Sequence, residues 1–250
     1  MNDSASGFRP FSERVTSTHD QVARVLGMDI LAGTYPVGTN MPNEADLLAR
    51  FQISRTVLRE VLKTLAAKGM IAAKTRVGTR VTDPTNWNFF DADVLGWKVA
   101  LGLDDGFRRD MAEIRRLIEP RAAALAAARR DPDDLARIRA AFARMTAPDA
   151  DAQRFAQADL DFHLAIGGAS GNALMRSIAS VIETALIASF APIVPRDQHD
   201  LHAATVAAHQ RILDAIEAGD GEAAAAAMLA VIDAAAPRTE GLQDTGKTQG

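Results

Sequence analysis

Residues 43–68 read NEADLLARFQISRTVLREVLKTLAAK, and this stretch decides the fold of the amino-terminal part of the chain. Its apolar residues recur at helical spacing on both sides of a short break, which predicts two helices joined by a tight turn at Gln52 and Ile53. Asn43 and Ser54 are placed to cap the two helices. The second helix is predicted to bury one apolar face, made of Val57, Leu58, Val61, Leu62 and Leu65.

The second helix also carries a basic ridge. Arg55, Arg59 and Lys63 are spaced four residues apart, which places their side chains along one face with a rise of about 6 Å per step. Thr56 lies beside them. A run of charges on a helix is usually a solvated face. A cationic ridge on the second helix of such a pair also fits the major groove of DNA.

The sequence around this helix pair favours the DNA interpretation. An apolar stripe predicts a further helix over residues 19–31, and residues 70–82, MIAAKTRVGTRVT, predict two strands around a turn at Arg76–Gly78. Helices followed by a hairpin with a basic tip are typical of a winged helix-turn-helix. We therefore predict a DNA-binding domain over residues 15–84, preceded by a disordered tail at residues 1–14.

The rest of the chain is rich in alanine and is predicted to be helical. We predict a linker helix in residues 85–104, an all-α antiparallel bundle in residues 105–236, and a disordered tail in residues 237–250. The individual helices are predicted at residues 91–102, 106–130, 133–147, 152–168, 173–190, 199–218 and 221–235. The fold class is mainly α with one small β-hairpin.

Composition limits the possible functions. The chain has 250 residues and no cysteine, which excludes disulfides and thiolate metal sites. Residues 1–86 carry a net charge of +3 and residues 87–250 a net charge of −7, so only the first part is suited to contact phosphate. The sequence shows no signal peptide and no apolar run of about 18 residues. We expect a soluble, cytoplasmic protein that contacts no membrane.

Three residues of the helical part form a candidate metal site. Asp159 and His163 lie four apart on one predicted helix and share a face, and His209 lies on a later helix. A carboxylate and imidazoles that converge from separate helices suit a divalent metal, with zinc the usual choice. Such residues also form hydrogen bonds within helical bundles, and the pattern alone does not decide between the two.

The amino-terminal motifs resemble the GntR family of bacterial regulators. That family is marked by Leu-Pro-x-Glu and Ser-Arg-x-x-x-Arg-Glu motifs, which match MPNE at residues 41–44 and SRTVLRE at residues 54–60. The resemblance implies that Arg55 and Arg59 contact guanine edges or phosphates. Ala45 stands where many relatives have arginine, so one phosphate contact is expected to be missing. The predicted DNA interface is Ser54, Arg55, Thr56, Arg59, Lys63, Arg76 and Gly78.

The helical part resembles the FCD effector domain, which defines the fatty-acid-regulator subfamily of GntR proteins. The segments that carry the resemblance are EIRRLIEPRAAALAA at 113–127, ADLDFHLAI at 158–166, ASGNALM at 169–175 and HQRILDAIEAGD at 209–220. The resemblance implies a metal held by Asp159, His163 and His209. The fourth ligand of many relatives, a histidine, falls at Val231 here. The site then either keeps three ligands and an open position, or has lost the metal and kept a polar pocket.

The resemblance also implies an effector pocket. Arg115 matches an arginine that lines the FCD pocket in relatives, and Thr205 and Arg238 are further candidates for contacts with a small organic acid. WNFFDADVLGWKVA, at residues 87–100, resembles the segment found in sugar-acid-responsive members, particularly D-galactonate-type repressors. We expect a homodimeric repressor of sugar-acid catabolism that leaves its double-stranded operator DNA when an aldonate or related sugar acid binds.

The alternative is a metal-dependent enzyme whose winged helix mediates protein contacts. No general base or nucleophile is evident in the sequence beside Asp159, His163 and His209, so we expect no enzymatic activity.

Overall fold

The computed structural model describes residues 17–74, 78–147, 151–178 and 198–235. Both predicted tails, and the wing tip at residues 75–77, lie outside these ranges. The chain forms two units, which divide between Leu101 and Gly102.

The amino-terminal unit begins with three helices. α1 spans Thr18–Leu31, α2 spans Glu44–Phe51 and α3 spans Arg55–Ala67. Each begins at a side-chain oxygen that accepts a backbone N–H from the first turn, which replaces one of the hydrogen bonds that a helix end lacks. The capping residues are Ser17, Asn43 and Ser54. The predicted helix pair is confirmed.

The turn between α2 and α3 depends on a left-handed residue. Gln52 has φ 53° and ψ 43°, and its N–H donates to the carbonyl of Leu48 at 2.9 Å. A left-handed residue ends a helix sharply, so α3 starts in a new direction within a few residues. The turn predicted at Gln52 and Ile53 is confirmed.

A small hairpin follows α3. β1, Ile71–Lys74, pairs antiparallel with β2, Gly78–Val81, with Ile71 opposite Val81 and Lys74 opposite Gly78. Asn40 forms an isolated bridge with Arg80, which ties the loop before α2 to the hairpin. The structure therefore contains the winged helix-turn-helix that the sequence predicts, and Arg76 lies outside the described residues.

The core of the amino-terminal unit extends into α4, Ala92–Ala100, which lies in the predicted linker. Trp97 of α4 is 7% exposed, and its ring packs against α1 at Gly27. A methyl group at residue 27 would lie 2.2 Å from the nearest Trp97 ring carbon, so the close approach requires glycine. The fully buried members of this core include Leu26, Leu58, Val61, Leu65, Met70 and Val94.

All the regular secondary structure described in the carboxyl-terminal unit is α-helical. Its helices are α5 (Asp105–Arg129), α6 (Pro132–Met145), α7 (Ala152–Ala169), α8 (Ala173–Ser177), α9 (Gln198–Ala218) and α10 (Gly221–Ala235). The predicted all-α fold is confirmed. α8 begins where the helix at 173–190 is predicted, and residues 179–190 lie outside the described part.

An apolar core runs through this bundle, and a polar cluster lies inside it. Helices α5, α6, α7, α9 and α10 supply apolar core residues such as Ala123, Ile138, Phe162, Ile212 and Met228. The polar cluster is Arg115, Glu119, Asp159, His163 and His209, each at most 4% exposed. Among the described residues, no helix is both long and apolar enough to cross a membrane.

Candidate nucleic-acid interface and metal centre

One side of α3 packs in the core and the opposite side is a cationic surface. Leu58, Val61 and Leu65 are buried, whereas the side chains of Arg55 and Lys63 are 81% and 72% exposed. The amphipathic pattern read from the sequence is therefore present in the structure. A helix held by its apolar face leaves the other face available to a ligand.

The ion pairs on this surface are few and exposed. Arg55 Nε lies 3.3 Å from Glu44 Oε1, and Lys63 Nζ lies 2.8 Å from Glu60 Oε1. Exposed pairs of this kind contribute about 0–1 kcal/mol, so phosphate oxygens can replace the carboxylates at little cost. Arg59 is exposed and forms no ion pair or hydrogen bond within the described part of the chain.

The other predicted DNA-contacting residues lie at the start of α3 and on the wing. Ser54 caps α3, since its Oγ accepts the N–H of Val57 at 3.3 Å, and Thr56 is exposed in the first turn. Gly78 has φ 100°, which suits glycine at the start of β2. The second wing arginine, Arg80, donates from Nε to the carbonyl of Gly38 and so has a structural contact within the unit.

Sequence reasoning missed the group that anchors the end of α3. Lys68 is buried, and its Nζ lies 2.6 Å from Asp91 Oδ1 and 2.8 Å from Asp93 Oδ2. The ammonium also lies 5.5 Å from the centre of the Trp97 ring. Burial alone would lower the pKa of Lys68, but the hydrogen bonds to Asp91 and Asp93 outweigh it and raise that pKa. These contacts fix the carboxyl end of α3 to the start of α4.

The three candidate metal ligands meet inside the carboxyl-terminal unit. Asp159 and His163 come from α7 and His209 from α9. His209 Nε2 lies 2.8 Å from Asp159 Oδ1 and 3.4 Å from His163 Nε2, and His163 Nε2 lies 3.8 Å from Asp159 Oδ1. One ligand atom from each residue therefore lies within 4.8 Å of the others.

Hydrogen bonds on the far side of both rings determine which nitrogens face the centre. His163 Nδ1 lies 2.5 Å from Glu119 Oε2, and His209 Nδ1 lies 2.8 Å from the backbone carbonyl of Thr205. A carboxylate and a carbonyl are acceptors, so each Nδ1 carries the ring proton in the neutral imidazole. Each Nε2 then presents a lone pair to the centre.

These residues fit a divalent cation. Asp159 Oδ1 is buried 2.8 Å from His209 Nε2 and 3.8 Å from His163 Nε2, and with both rings protonated on Nδ1 neither nitrogen donates a hydrogen bond to it. A buried carboxylate oxygen in contact with lone pairs is unfavourable unless a proton or a metal ion lies between them. Histidines whose outer nitrogens are held by oxygen acceptors are the usual arrangement around bound metal.

The same groups shift one another's pKa values when a proton takes the central position. Burial would raise the pKa of Asp159, but a hydrogen bond from protonated His209 and the charge of His163 outweigh burial and lower it. Burial would also raise the pKa of Glu119, yet His163 and Arg115 lower that pKa to about 2. Both carboxyl groups are therefore ionised at neutral pH.

The predicted effector residues lie in different surroundings. Arg115 is 4% exposed and is paired with Glu119, with Nη2 3.4 Å from Oε2 and a second contact from Nε to Oε1. Thr205 contacts His209 through its carbonyl. Arg238 lies outside the described residues. The neighbour of Arg115, Arg116, pairs with Asp233 on the surface.

Neither of the other two residues considered for the metal site adds a ligand. Val231 is half-buried against the apolar core. His202 is exposed, and its ring lies 4.7 Å from the Phe155 ring.

A small cavity with room for about one water molecule lies on the Glu119 side of His163. It is lined by Ile118, Ala122, Ile166, Gly167, Met175 and Met228, together with Glu119 and His163.

The sequence interpretation also omitted Glu119, the buried carboxylate between Arg115 and His163. It lies four residues after Arg115 on α5, a spacing that places the two side chains together. A charged pair at this spacing, beside the alanine-rich stretch 122–127, could have indicated that both face the interior.

Comparisons with known proteins agree with both halves of the structure. A family model described as "Bacterial regulatory proteins, gntR family" matches residues 18–81, and one described as "FCD domain" matches residues 110–234. The chain is 34% identical over 213 residues to the galactonate operon transcriptional repressor of Escherichia coli (strain K12), a match that covers 85% of this chain and 93% of the relative.

A second relative and a solved structure agree with these matches. The HTH-type transcriptional regulator LutR of Bacillus subtilis (strain 168) is 30% identical over 203 residues, which cover 79% of this chain and 90% of the relative. A solved structure of Streptococcus agalactiae GntR is 26% identical, with a TM-score of 0.50, and covers 88% of this chain and 99% of that chain. These relatives are regulators of transcription and not enzymes, which answers the alternative raised from the sequence. The chain belongs to the GntR family of bacterial transcriptional regulators, with an FCD domain after its winged helix.

Proposed function

We propose that this regulator is a homodimeric repressor that leaves its operator when a small sugar acid binds near a zinc ion held by Asp159, His163 and His209. GntR regulators bind operator DNA, and the exposed ridge of α3 supplies the surface for that contact. A dimer supplies two such helices, and two half-sites give the specificity that one recognition helix lacks.

The observation that carries the effector half of the proposal is the convergence of three ligand atoms on one buried point. Zinc held by three protein ligands keeps a further coordination position, and this is the chemistry that the ion would supply to an effector carboxylate. Val231, in place of the fourth histidine of many relatives, is consistent with an open position.

The charge balance of the site favours an anionic effector. Arg115 is paired with Glu119, so these two charges offset each other. Asp159 is then the single remaining carboxylate of the cluster, and a divalent cation there leaves net positive charge. A carboxylate placed in that field is favoured over a neutral sugar. The likeness to a galactonate operon repressor makes D-galactonate the first acid to test.

The cavity on the Glu119 side is too small for a sugar acid as it stands. An effector carboxylate on the zinc ion therefore needs space that this cavity does not provide, and binding must widen the interior of the bundle beside Asp159 and His209. A ligand shifts a conformational equilibrium only by its difference in affinity for the two states. We propose that the widened state is the one that fits the operator poorly.

The test is thermal unfolding of the full-length, zinc-loaded protein with D-galactonate, D-gluconate or D-galactose. A ligand that binds only the folded state raises its unfolding temperature, and the stabilisation grows with the logarithm of ligand concentration above the Kd. We expect a rise with an acid and none with neutral D-galactose. Asp159→Asn should abolish zinc uptake and the acid-dependent rise, whereas Asp161→Asn, which removes a surface carboxylate paired with Arg144, should change neither.

The operator half is tested on a duplex selected from random sequences by the purified protein. An effective acid should release this duplex in a gel-shift titration. Two outcomes would contradict the proposed effector site. One is release of the duplex by D-galactose as readily as by the acid. The other is acid-dependent release that persists in Asp159→Asn.

A further inference from the structure

Glu119 is a buried carboxylate that belongs to neither the metal ligands nor the DNA surface. It is 3% exposed on α5, between Arg115 on one side and His163 on the other. A buried carboxylate between a guanidinium and an imidazole needs a reason beyond packing, because an apolar side chain of similar size is often at least as stable in such a place.

The two histidines of the cluster use different acceptors for the same purpose. The Nδ1 of His209 is held by the backbone carbonyl of Thr205, four residues earlier on the same helix. The Nδ1 of His163 is held by Glu119, a side chain 44 residues away on another helix. Only the second acceptor depends on the amino-acid type, so it is the one that a single substitution can remove.

We propose that Glu119 is a positioning residue for metal binding: it accepts the Nδ1–H of His163 and so keeps the Nε2 lone pair directed at Asp159 and His209. Arg115 supports this role, because its guanidinium contacts both carboxylate oxygens of Glu119 and fixes the carboxylate plane. The inference rests on the metal site of the proposed function.

A competing explanation is that Glu119 serves only as the counter-charge of Arg115 within the bundle. The two roles are separated by Glu119→Asp, which keeps the negative charge but shortens the side chain by about 1.5 Å. A counter-charge survives this change, since Arg115 is long and lies one turn away. The 2.5 Å contact with His163 does not survive it.

The experiment is a zinc titration of the full-length protein in competition with a chelator of known affinity. The variants are Glu119→Asp and the matched control Glu113→Asp, an exposed glutamate on the same helix. We expect Glu119→Asp to weaken zinc binding by about 10–100-fold and the control to stay within about two-fold of wild type. Equal zinc affinity in Glu119→Asp and wild type would overturn the inference and leave the proposed zinc site standing.

A second measurement needs no variant and so does not depend on how the substitutions fold. Long-range proton–nitrogen NMR spectra of the histidine rings in the metal-free protein report which nitrogen carries the proton. We expect the Nδ1–H form for neutral His163, and a neutral ring protonated on Nε2 would overturn the inference. Wild-type protein that takes up no zinc would overturn both the metal site and the role of Glu119, an outcome distinct from a failure of Glu119→Asp alone.

Discussion

The surface of α3 and the cluster around His163 place charges in opposite environments. The cations of α3 are exposed, and their partners, Glu44 and Glu60, are exposed as well. The charges of the cluster are buried, and Glu119 Oε2 lies 2.5 Å from His163 Nδ1. The difference is consistent with the roles that we propose for the two sites. An exposed cation exchanges its partner for phosphate at low cost, whereas a buried group stays in one geometry and discriminates among ligands.

The largest effect that we expect is on operator binding by Arg59→Ala. Loss of one arginine contact in each half-site should lower operator affinity by about 10–100-fold per half-site, which a gel-shift titration measures. Because the side chain is exposed, the unfolding temperature should not change. The control is Arg211→Ala, the same substitution at an exposed position on α9. Unchanged operator affinity in Arg59→Ala would remove the main argument for the α3 surface.

The second expected effect is a loss of stability in Arg115→Ala. The substitution leaves Glu119 buried with His163 as its remaining partner, and an unpaired buried charge costs about 3–5 kcal/mol. Since His163 retains part of the pairing, we expect the lower end of that range in urea unfolding. Arg116→Ala, which breaks a surface pair with Asp233, should cost less than about 1 kcal/mol. A similar loss in both variants would contradict the contrast between buried and exposed charges.

The charged groups around Lys68 are intermediate in exposure between the α3 surface and the buried cluster. Replacement of Lys68 by methionine therefore tests the comparison. Its own side chain is 9% exposed, but Asp91 and Asp93 are 27% and 58% exposed. Solvent therefore screens the carboxylates, and we expect a loss of about 1–3 kcal/mol. Asp93→Asn should cost less, because Asp91 still holds the ammonium.

The pH dependence of this loss provides an independent check. The pKa of Lys68 is raised in the folded protein, so its contribution is fully present below the ordinary value of 10.5. It is lost as the pH rises through the folded-state pKa. The gap between wild type and Lys68→Met should stay constant from pH 6 to about pH 9 and narrow only above about pH 10.5. A gap that narrows near pH 7 would show that another group is responsible.

The smallest effect concerns the turn that separates α2 from α3. Gln52 is left-handed, a conformation that a β-branched residue adopts with difficulty. Gln52→Val should destabilise the protein by about 1–2 kcal/mol. Gln52→Gly should stay within about 1 kcal/mol of wild type, because relief of strain and added chain entropy offset each other. Equal stabilities of the two variants in urea would contradict this account of the turn.

The two sites also differ in how much of each the sequence predicts. The apolar face of α3 follows from spacing within one helix: the structure buries Leu58, Val61 and Leu65 as predicted and half-buries Val57 and Leu62. The caps Asn43 and Ser54 follow from local chemistry in the same way. Contacts between residues distant in sequence cannot be predicted from spacing or local chemistry. Lys68 meets Asp91 and Asp93 across 23 and 25 residues, and no periodicity links them.

The buried cluster is an intermediate case. Asp159 and His163 share a face by spacing, but the position of His209 beside them depends on how α9 packs against the other helices. The ligand set was predicted through resemblance to the FCD domain and not by spacing alone. Glu119 was not predicted, because its pairing with His163 spans 44 residues and two helices.

The contact between Gly27 and Trp97 has a practical consequence for exchanging parts between relatives. The wing ends at Val81, yet the side of α1 at Gly27 is covered by a ring that comes sixteen residues later in the chain. A chimaera joined just after the wing would take α4 from the donor of the helical domain, and that helix would have to fit a glycine-sized notch. It would also have to supply two carboxylates for Lys68. A junction between Leu101 and Gly102 keeps the notch, the ring and the carboxylates from one parent.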